Sequence, residues 1–267
     1  MIRKPAVAGT FYPSNLRELR QFLDEHLKPV PAPIPAKAVV LPHAGYIYSG
    51  VTASLVLSRV LVPETVFLIG PNHRGLGADF ALFSKGEWQT PLGRVPIHEE
   101  LAAKLLEASH DLQVDTQAHA LEHSLEVEIP LLQFRNPALR IAPLIVGTLN
   151  IEAAREVALA AGDVLASLHD QPLTVISTDM SHYEPEEATR KKDRYALEAI
   201  QSLDAEALLR VVKDYRITMC GLVPVYMLLV MKEALGLQKA TLVDYRTSAE
   251  ATGDLERVVG YAGFIFE

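Results

Sequence analysis

Three apolar runs each stop on a group able to bind a metal ion or move a proton. "VVLPH" ends on His43, "FLIGPNH" on His73, and "VISTDMSH" carries Asp179 and His182. Neutral imidazole is the commonest protein ligand for zinc, iron and copper. A carboxylate or further imidazole beside such an ion can take up and return a proton. Any one of these residues alone reads better as a turn residue satisfied by backbone. Three strand ends of the same kind point instead to one site, with two imidazoles present and a third ligand wanted.

Cys220 is the one sulfur candidate for that place, since the chain has a single cysteine. It sits in "ITMCGLVPVYMLL", where an apolar helical run begins. A helix N-terminus is expected to lower the thiol's pKa and favour the thiolate, the form that binds metals. A buried, inert cysteine fits the same residues. A rival constellation lies in "HALEHSLEVEIP", where His119, Glu122 and His123 match H-x-x-E-H, the pattern of inverted zinc peptidases with the glutamate as general base. That pattern needs a helix, and Pro130 and the turn-like "DTQA" oppose one. The segment reads better as a polar loop entering a short helix, with His123 supporting the cleft.

A sheet must position these groups. Residues 37–42, 65–70, 140–147, 173–178, 240–245 and 258–266 are strand-like, several of them apolar throughout, as strands covered on both faces are. Helical patterns fill 50–61, 98–109, 151–168, 187–201, 204–214 and 220–235. The alternation predicts an α/β fold with a central, mostly parallel sheet flanked by helices. Ligands bind such sheets beyond the carboxyl ends of the strands, which is where His43, His73, Asp179 and His182 fall. The Pro-rich stretch 28–37 reads as a stiff connector inside a single domain, 1–267, and 83–98 as a hairpin insertion. Tyr46 and Tyr48 in "AGYIYSG" fit a pocket wall and fit better as core aromatics, and "EPEEATRKKDR" reads as a helix start. Neither a dinucleotide-binding GxGxxG nor a phosphate-binding P-loop occurs.

Bulk composition narrows the function classes. With 267 residues, 49% of them hydrophobic, the chain can bury a sizeable core. A formal charge of -8 argues against a nucleic-acid partner, which needs a basic surface. One cysteine excludes an intrachain disulfide and suggests a reducing compartment. The N-terminus lacks the apolar stretch of a signal peptide, and the longest apolar run, Leu222 to Met231, is too short to span a bilayer. A cytoplasmic protein without membrane segments is expected.

These residues carry a family resemblance. "AGTFYP", "PHAGYIYSG", "GPNHRG", "W-x-TPLG", "EHSLE", "STDMSH" and "CG" occur in order from residue 8 to residue 221, and "YRTSA" and "GYAGF" follow. The chain resembles the Memo-like family, the bacterial and archaeal relatives of the eukaryotic Memo motility protein, also labelled AmmeMemoRadiSam system protein B. The resemblance implies a fold similar to class III extradiol ring-cleaving dioxygenases, which hold non-haem Fe(II) with two histidines and a carboxylate. It implies His43, His73 and Cys220 as metal ligands, with Cys220 where the dioxygenases carry the carboxylate. It also implies Asp179 and His182 in the same cleft, His182 resembling the dioxygenases' acid/base histidine. Non-haem Fe(II) or copper is the implied cofactor, with zinc a further candidate, and the implied activity is that of a metal-dependent oxidoreductase. A small-molecule or peptide ligand and a radical-enzyme partner are implied as well. A non-catalytic protein that holds a ligand in this cleft without turnover fits the same residues.

Overall fold

The apolar runs form the strands they predict. In the computed structural model, which describes residues 1–267, Ala38–Leu41, Leu173–Ser177, Thr65–Pro71 and Arg140–Val146 lie side by side in that order and run parallel. Successive strand side chains point to opposite faces, and here each face has its own core. Val40, Phe67, Ile69, Leu144 and Ile176 join the core under the helices Glu99–Ala108, Ile151–Ala166, Glu186–Gln201, Ala205–Tyr215 and Leu222–Val230. Val39, Leu41, Leu68, Ile145 and Val175 join the core under Leu16–His26, Val51–Arg59 and Ile129–Arg135. Burial on both faces explains why these strands show no polar alternation.

The full sheet has nine strands and is mixed. Val258–Phe266 pairs antiparallel with Ala38–Leu41, and Ala240–Thr247 pairs antiparallel beyond it. On the other side Phe80–Leu82 lies antiparallel to Arg140–Val146, with Gln113–Val114 parallel beyond it at the edge. Of these pairs only Ala240–Thr247 and Val258–Phe266 are consecutive strands, joined by a short connection that permits antiparallel pairing and leaves no room for a crossover. The parallel character predicted from sequence belongs to the four central strands that carry the site.

Residues 28–37 form no helix, and within them Ile34 bridges Val60. The insertion is a hairpin, Glu87–Thr90 against Gly93–Pro96, with Ile2–Arg3 added as a third strand. Arg3 then reaches into the protein. Its guanidinium lies 4.2 Å from the centre of the buried Trp88 ring and 2.8 Å from Glu126. The same Glu126 carboxylate accepts the Ala6 and Val7 N–H groups and the Tyr12 hydroxyl. The N-terminal motif "AGTFYP" is thereby clamped to the segment that carries Glu122 and His123. No helix is long and apolar enough to cross a membrane.

Candidate metal centre

Register brings the strand ends to one level. Leu41 pairs with Ser177, and Ile69 with Ile176, so His43, His73 and Asp179 leave the sheet at one rim. Two glycines let other segments close on that rim. A Cβ on Gly70 would lie 2.7 Å from Leu125 Cδ2 and 3.0 Å from Ser124 Oγ. Its absence lets the 122–125 turn settle over His73. Gly221 plays the same part beside Thr178, whose side chain leaves no room for a Cβ there and whose hydroxyl accepts the Gly221 N–H at 2.9 Å. Cys220 is thus held against the end of Leu173–Ser177.

His43, His73 and His123 bring ligating nitrogens within 4.8 Å of one another. Hydrogen bonds fix which nitrogens are free. The Ser177 hydroxyl donates to the Ser124 carbonyl at 2.7 Å, so at 2.6 Å from His43 Nδ1 it can only accept. His43 therefore carries its proton on Nδ1 and leaves the Nε2 lone pair open, 3.3 Å from Cys220 Sγ. His73 Nδ1 lies 2.9 Å from Glu122 Oε1, and the His73 backbone N–H donates to Oε2 at 2.6 Å. Burial pushes the Glu122 carboxyl up, but hydrogen bonds from His73 and from the Ser124 N–H outweigh it and hold the group at about 2. A carboxylate behind one ring nitrogen orients the ring and makes the other nitrogen a better ligand. His123 packs on Phe11 with centroids 4.6 Å apart, and its buried Nδ1 makes no hydrogen bond. Burial lowers His43 far below the usual imidazole range, and burial with the charges of His73 and Arg74 takes His123 to about 4. Both are neutral near pH 7, the form that donates a lone pair to a metal.

Asp179 and His182 stand beside this cluster. Asp179 Oδ1 accepts the His43 N–H at 2.8 Å, and burial raises the carboxyl to about 6 against the opposing pull of His182. His182 Nδ1 meets the Thr218 carbonyl at 2.9 Å. A carbonyl only accepts, so Nδ1 holds the proton and Nε2 is left free. Cys220 Sγ accepts the Asp179 N–H at 3.2 Å. The expectation of a thiol activated by its helix is corrected here. Burial, then the charge of Asp179, pushes Cys220 up to about 12 and outweighs the hydrogen bonds that oppose it. A thiolate at this position needs a cation bound to it.

The H-x-x-E-H reading is also corrected. Gln117–Ala120 is a helix of four residues that ends before Glu122. His119 is wholly buried between Phe83 and Trp88, with Nε2 donating to the Ala81 carbonyl at 2.9 Å. It does not reach Glu122's carboxylate, which serves His73. Pro130 falls in the first turn of Ile129–Arg135, so the loop does enter a short helix, although Ser124, Glu126 and Glu128 are buried.

His43, His73, His123, Asp179, His182 and Cys220 all line one cleft of about 810 Å³. Tyr48 lines the cleft whereas Tyr46 is core, so the core reading holds for one tyrosine of the pair; Phe11, Tyr261 and Arg257 also line it, and Ser177 and Thr218 hold His43 and His182, with no local pattern to mark them. The donor chemistry fits a metal ion. The imidazoles of His43, His73 and His123 form the close group, Cys220 approaches it only through His43, and the second nitrogens of His43 and His73 are held by a hydroxyl and a carboxylate.

Known proteins resemble this chain over its whole length. The family described as "Memo-like protein" matches residues 3–265. A "MEMO1 family protein" of Aquifex aeolicus is 42% identical, with 99% of each chain covered. One from Methanopyrus kandleri is 39% identical, covering 100% of this chain and 99% of the relative. Among solved structures, "uncharacterized protein JW3007 from Escherichia coli K12" shares the fold at TM-score 0.56 and 13% identity, over 86% of this chain and 99% of the other. On this evidence the chain belongs to the Memo-like protein family.

Proposed function

We propose that this protein holds a redox-active ion, Fe(II) or copper, through His43, His73 and Cys220, and uses it in oxidoreductase chemistry on a small molecule. The observation that carries the reading is the approach of His43 Nε2 to Cys220 Sγ, 3.3 Å, at the rim where His73 also emerges. When bound, such an ion supplies electron transfer or activation of a bound substrate. His182 Nε2 accepts or returns a proton there. Asp179, poised near neutrality, holds the His43 backbone and exchanges a proton beside His182.

The resemblance to extradiol dioxygenases supports iron, while sulfur in place of their carboxylate favours softer ions, Cu(I) and Zn(II) included. Ring cleavage therefore does not carry over with the fold. The three-imidazole grouping favours a second ligand set in which His123 replaces Cys220. Protein purified without an affinity tag and loaded anaerobically with Fe(II) or Cu(I) separates the two. Stoichiometric metal in the wild type and in His123→Ala, with loss in His43→Ala, His73→Ala and Cys220→Ala, supports the proposal. Metal kept by Cys220→Ala and lost by His123→Ala selects the three-imidazole set. Metal unchanged in both His43→Ala and Cys220→Ala sinks both.

A further inference from the structure

The cleft holds more than its metal-ready floor. Phe11, Tyr48, Tyr183 and Tyr261 wall it, and Arg257 stands at its mouth. The Arg257 guanidinium lies over the Tyr183 ring, 5.7 Å from its centre, and makes no hydrogen bond or ion pair within the chain. Asp254 also lines the mouth, but it is turned to its own loop, where Oδ1 accepts the Glu256 N–H at 2.8 Å. The Tyr48 and Tyr261 hydroxyls likewise have no hydrogen-bond partner in the chain, although the Tyr261 ring is only 2% exposed. Burial and the charge of Asp179 raise the Tyr261 phenol, which keeps it a donor.

Backbone geometry fixes the pair at the mouth. Tyr183 is held at φ 61, a left-handed conformation that side chains rarely adopt. It lies in a register break between two pairings, His182 with Val259 and Glu184 with Val258. Arg257 directly precedes that paired stretch. A strained aromatic residue and an unpaired cation are thus presented together by paired strands, in a chain whose formal charge is -8. Strain of this kind clusters at ligand-binding sites.

From this juxtaposition we infer that the cleft takes a small planar organic acid, its carboxylate on Arg257, its conjugated body among Phe11, Tyr183 and Tyr261, and its oxygen substituents on the Tyr48 and Tyr261 hydroxyls. This rests on the proposed function in one respect only, that the acid is the substrate of the ion at the floor. Guanidinium recognises carboxylate through two parallel hydrogen bonds, which sets it apart from a neutral amide of the same shape.

The test uses trans-cinnamate and its neutral isostere trans-cinnamamide, titrated calorimetrically into the full chain, both metal-loaded and chelator-treated. Cinnamate binds roughly tenfold or more tightly than the amide. Arg257→Gln removes that preference, and Arg257→Lys, which keeps the charge without the fork, retains part of it. Equal affinity for acid and amide in the wild type, or an Arg257→Gln variant that still prefers the acid, overturns the inference. Metal content of Arg257→Gln is measured alongside. A preference that persists in protein that binds no metal removes the metal reading and leaves the acid site, and stoichiometric metal without a preference does the reverse.

Discussion

At His43 a single hydroxyl decides which ring nitrogen faces the cleft. Ser177 gives its proton to the Ser124 carbonyl, so it accepts from Nδ1, and the Nε2 lone pair is left facing the cleft. Glu122 does the same for His73 with a carboxylate. His119 shows the opposite outcome for the same side chain. Enclosed by Phe83, Trp88 and the Ala81 carbonyl, it is a structural imidazole kept neutral by burial. Its folded pKa, about 4, lies below the unfolded value of 6.5. Between those values the unfolded chain binds a proton that the folded chain refuses, so stability falls as the pH drops through that window. The raised carboxyls of Asp179 and Glu128 act in the opposite sense, gaining stability on acidification, so the difference between variants is what isolates His119. His119→Gln keeps an N–H for the Ala81 carbonyl and removes the proton uptake. Urea unfolding from about pH 6 to about 4.5 should show a slope against pH shallower by about 1.4 kcal/mol per unit. Equal slopes in the two proteins would contradict this placement.

Among the elements, the strand ends were the readable part. Short Val- and Ile-rich runs fit strands buried on both faces, and the polar residue that ends each run then stands at the rim, whereas the longer apolar run from Leu222 forms the buried helix Leu222–Val230. His43, His73, Asp179 and His182 were found in this way. The 119–128 segment was not readable in the same terms. Its polar residues look solvated, yet Glu126 is buried by four donors from the N-terminal segment and Ser124 by the Pro71 carbonyl, partners more than fifty residues away. His123 therefore reached the cluster through a tertiary clamp that no local spacing reports. Cys220 lines the cleft, but its helix could not reveal the burial that dominates its ionisation. Gly70 offers a test of how the clamp works. Gly70→Ala drives a Cβ into Leu125 and Ser124. Overpacking of this kind costs about 1–3 kcal/mol in denaturant unfolding. Because the displaced turn carries Glu122, metal loading should fall along with stability. Gly70→Ala with wild-type stability and loading would show that the turn does not depend on this close approach.

Across the whole molecule, two cores on opposite faces of one sheet leave the carboxyl rim as the place where both layers' loops meet. The 122–125 turn comes from one side and the Cys220 turn from the other, with the sheet's own strand ends between them. The N-terminal segment, tied by Arg3 and Tyr12 to Glu126, covers the same rim with Phe11. This explains how motifs as far apart as "AGTFYP" and "GYAGF" both reach one cleft, through Phe11 and Tyr261. The fold class and the strand-end residues of the cleft followed from hydrophobic pattern, whereas the walls of the cleft depended on long-range packing. The central claim, an ion held by His43, His73 and Cys220, is tested most directly by anomalous diffraction at the iron or copper edge from crystals prepared anaerobically with that metal. One peak is expected in the cleft at bonding distance, about 2.0–2.3 Å, from both imidazoles and the sulfur. A cleft without a peak, with the metal instead on an exposed imidazole such as His169, would contradict it.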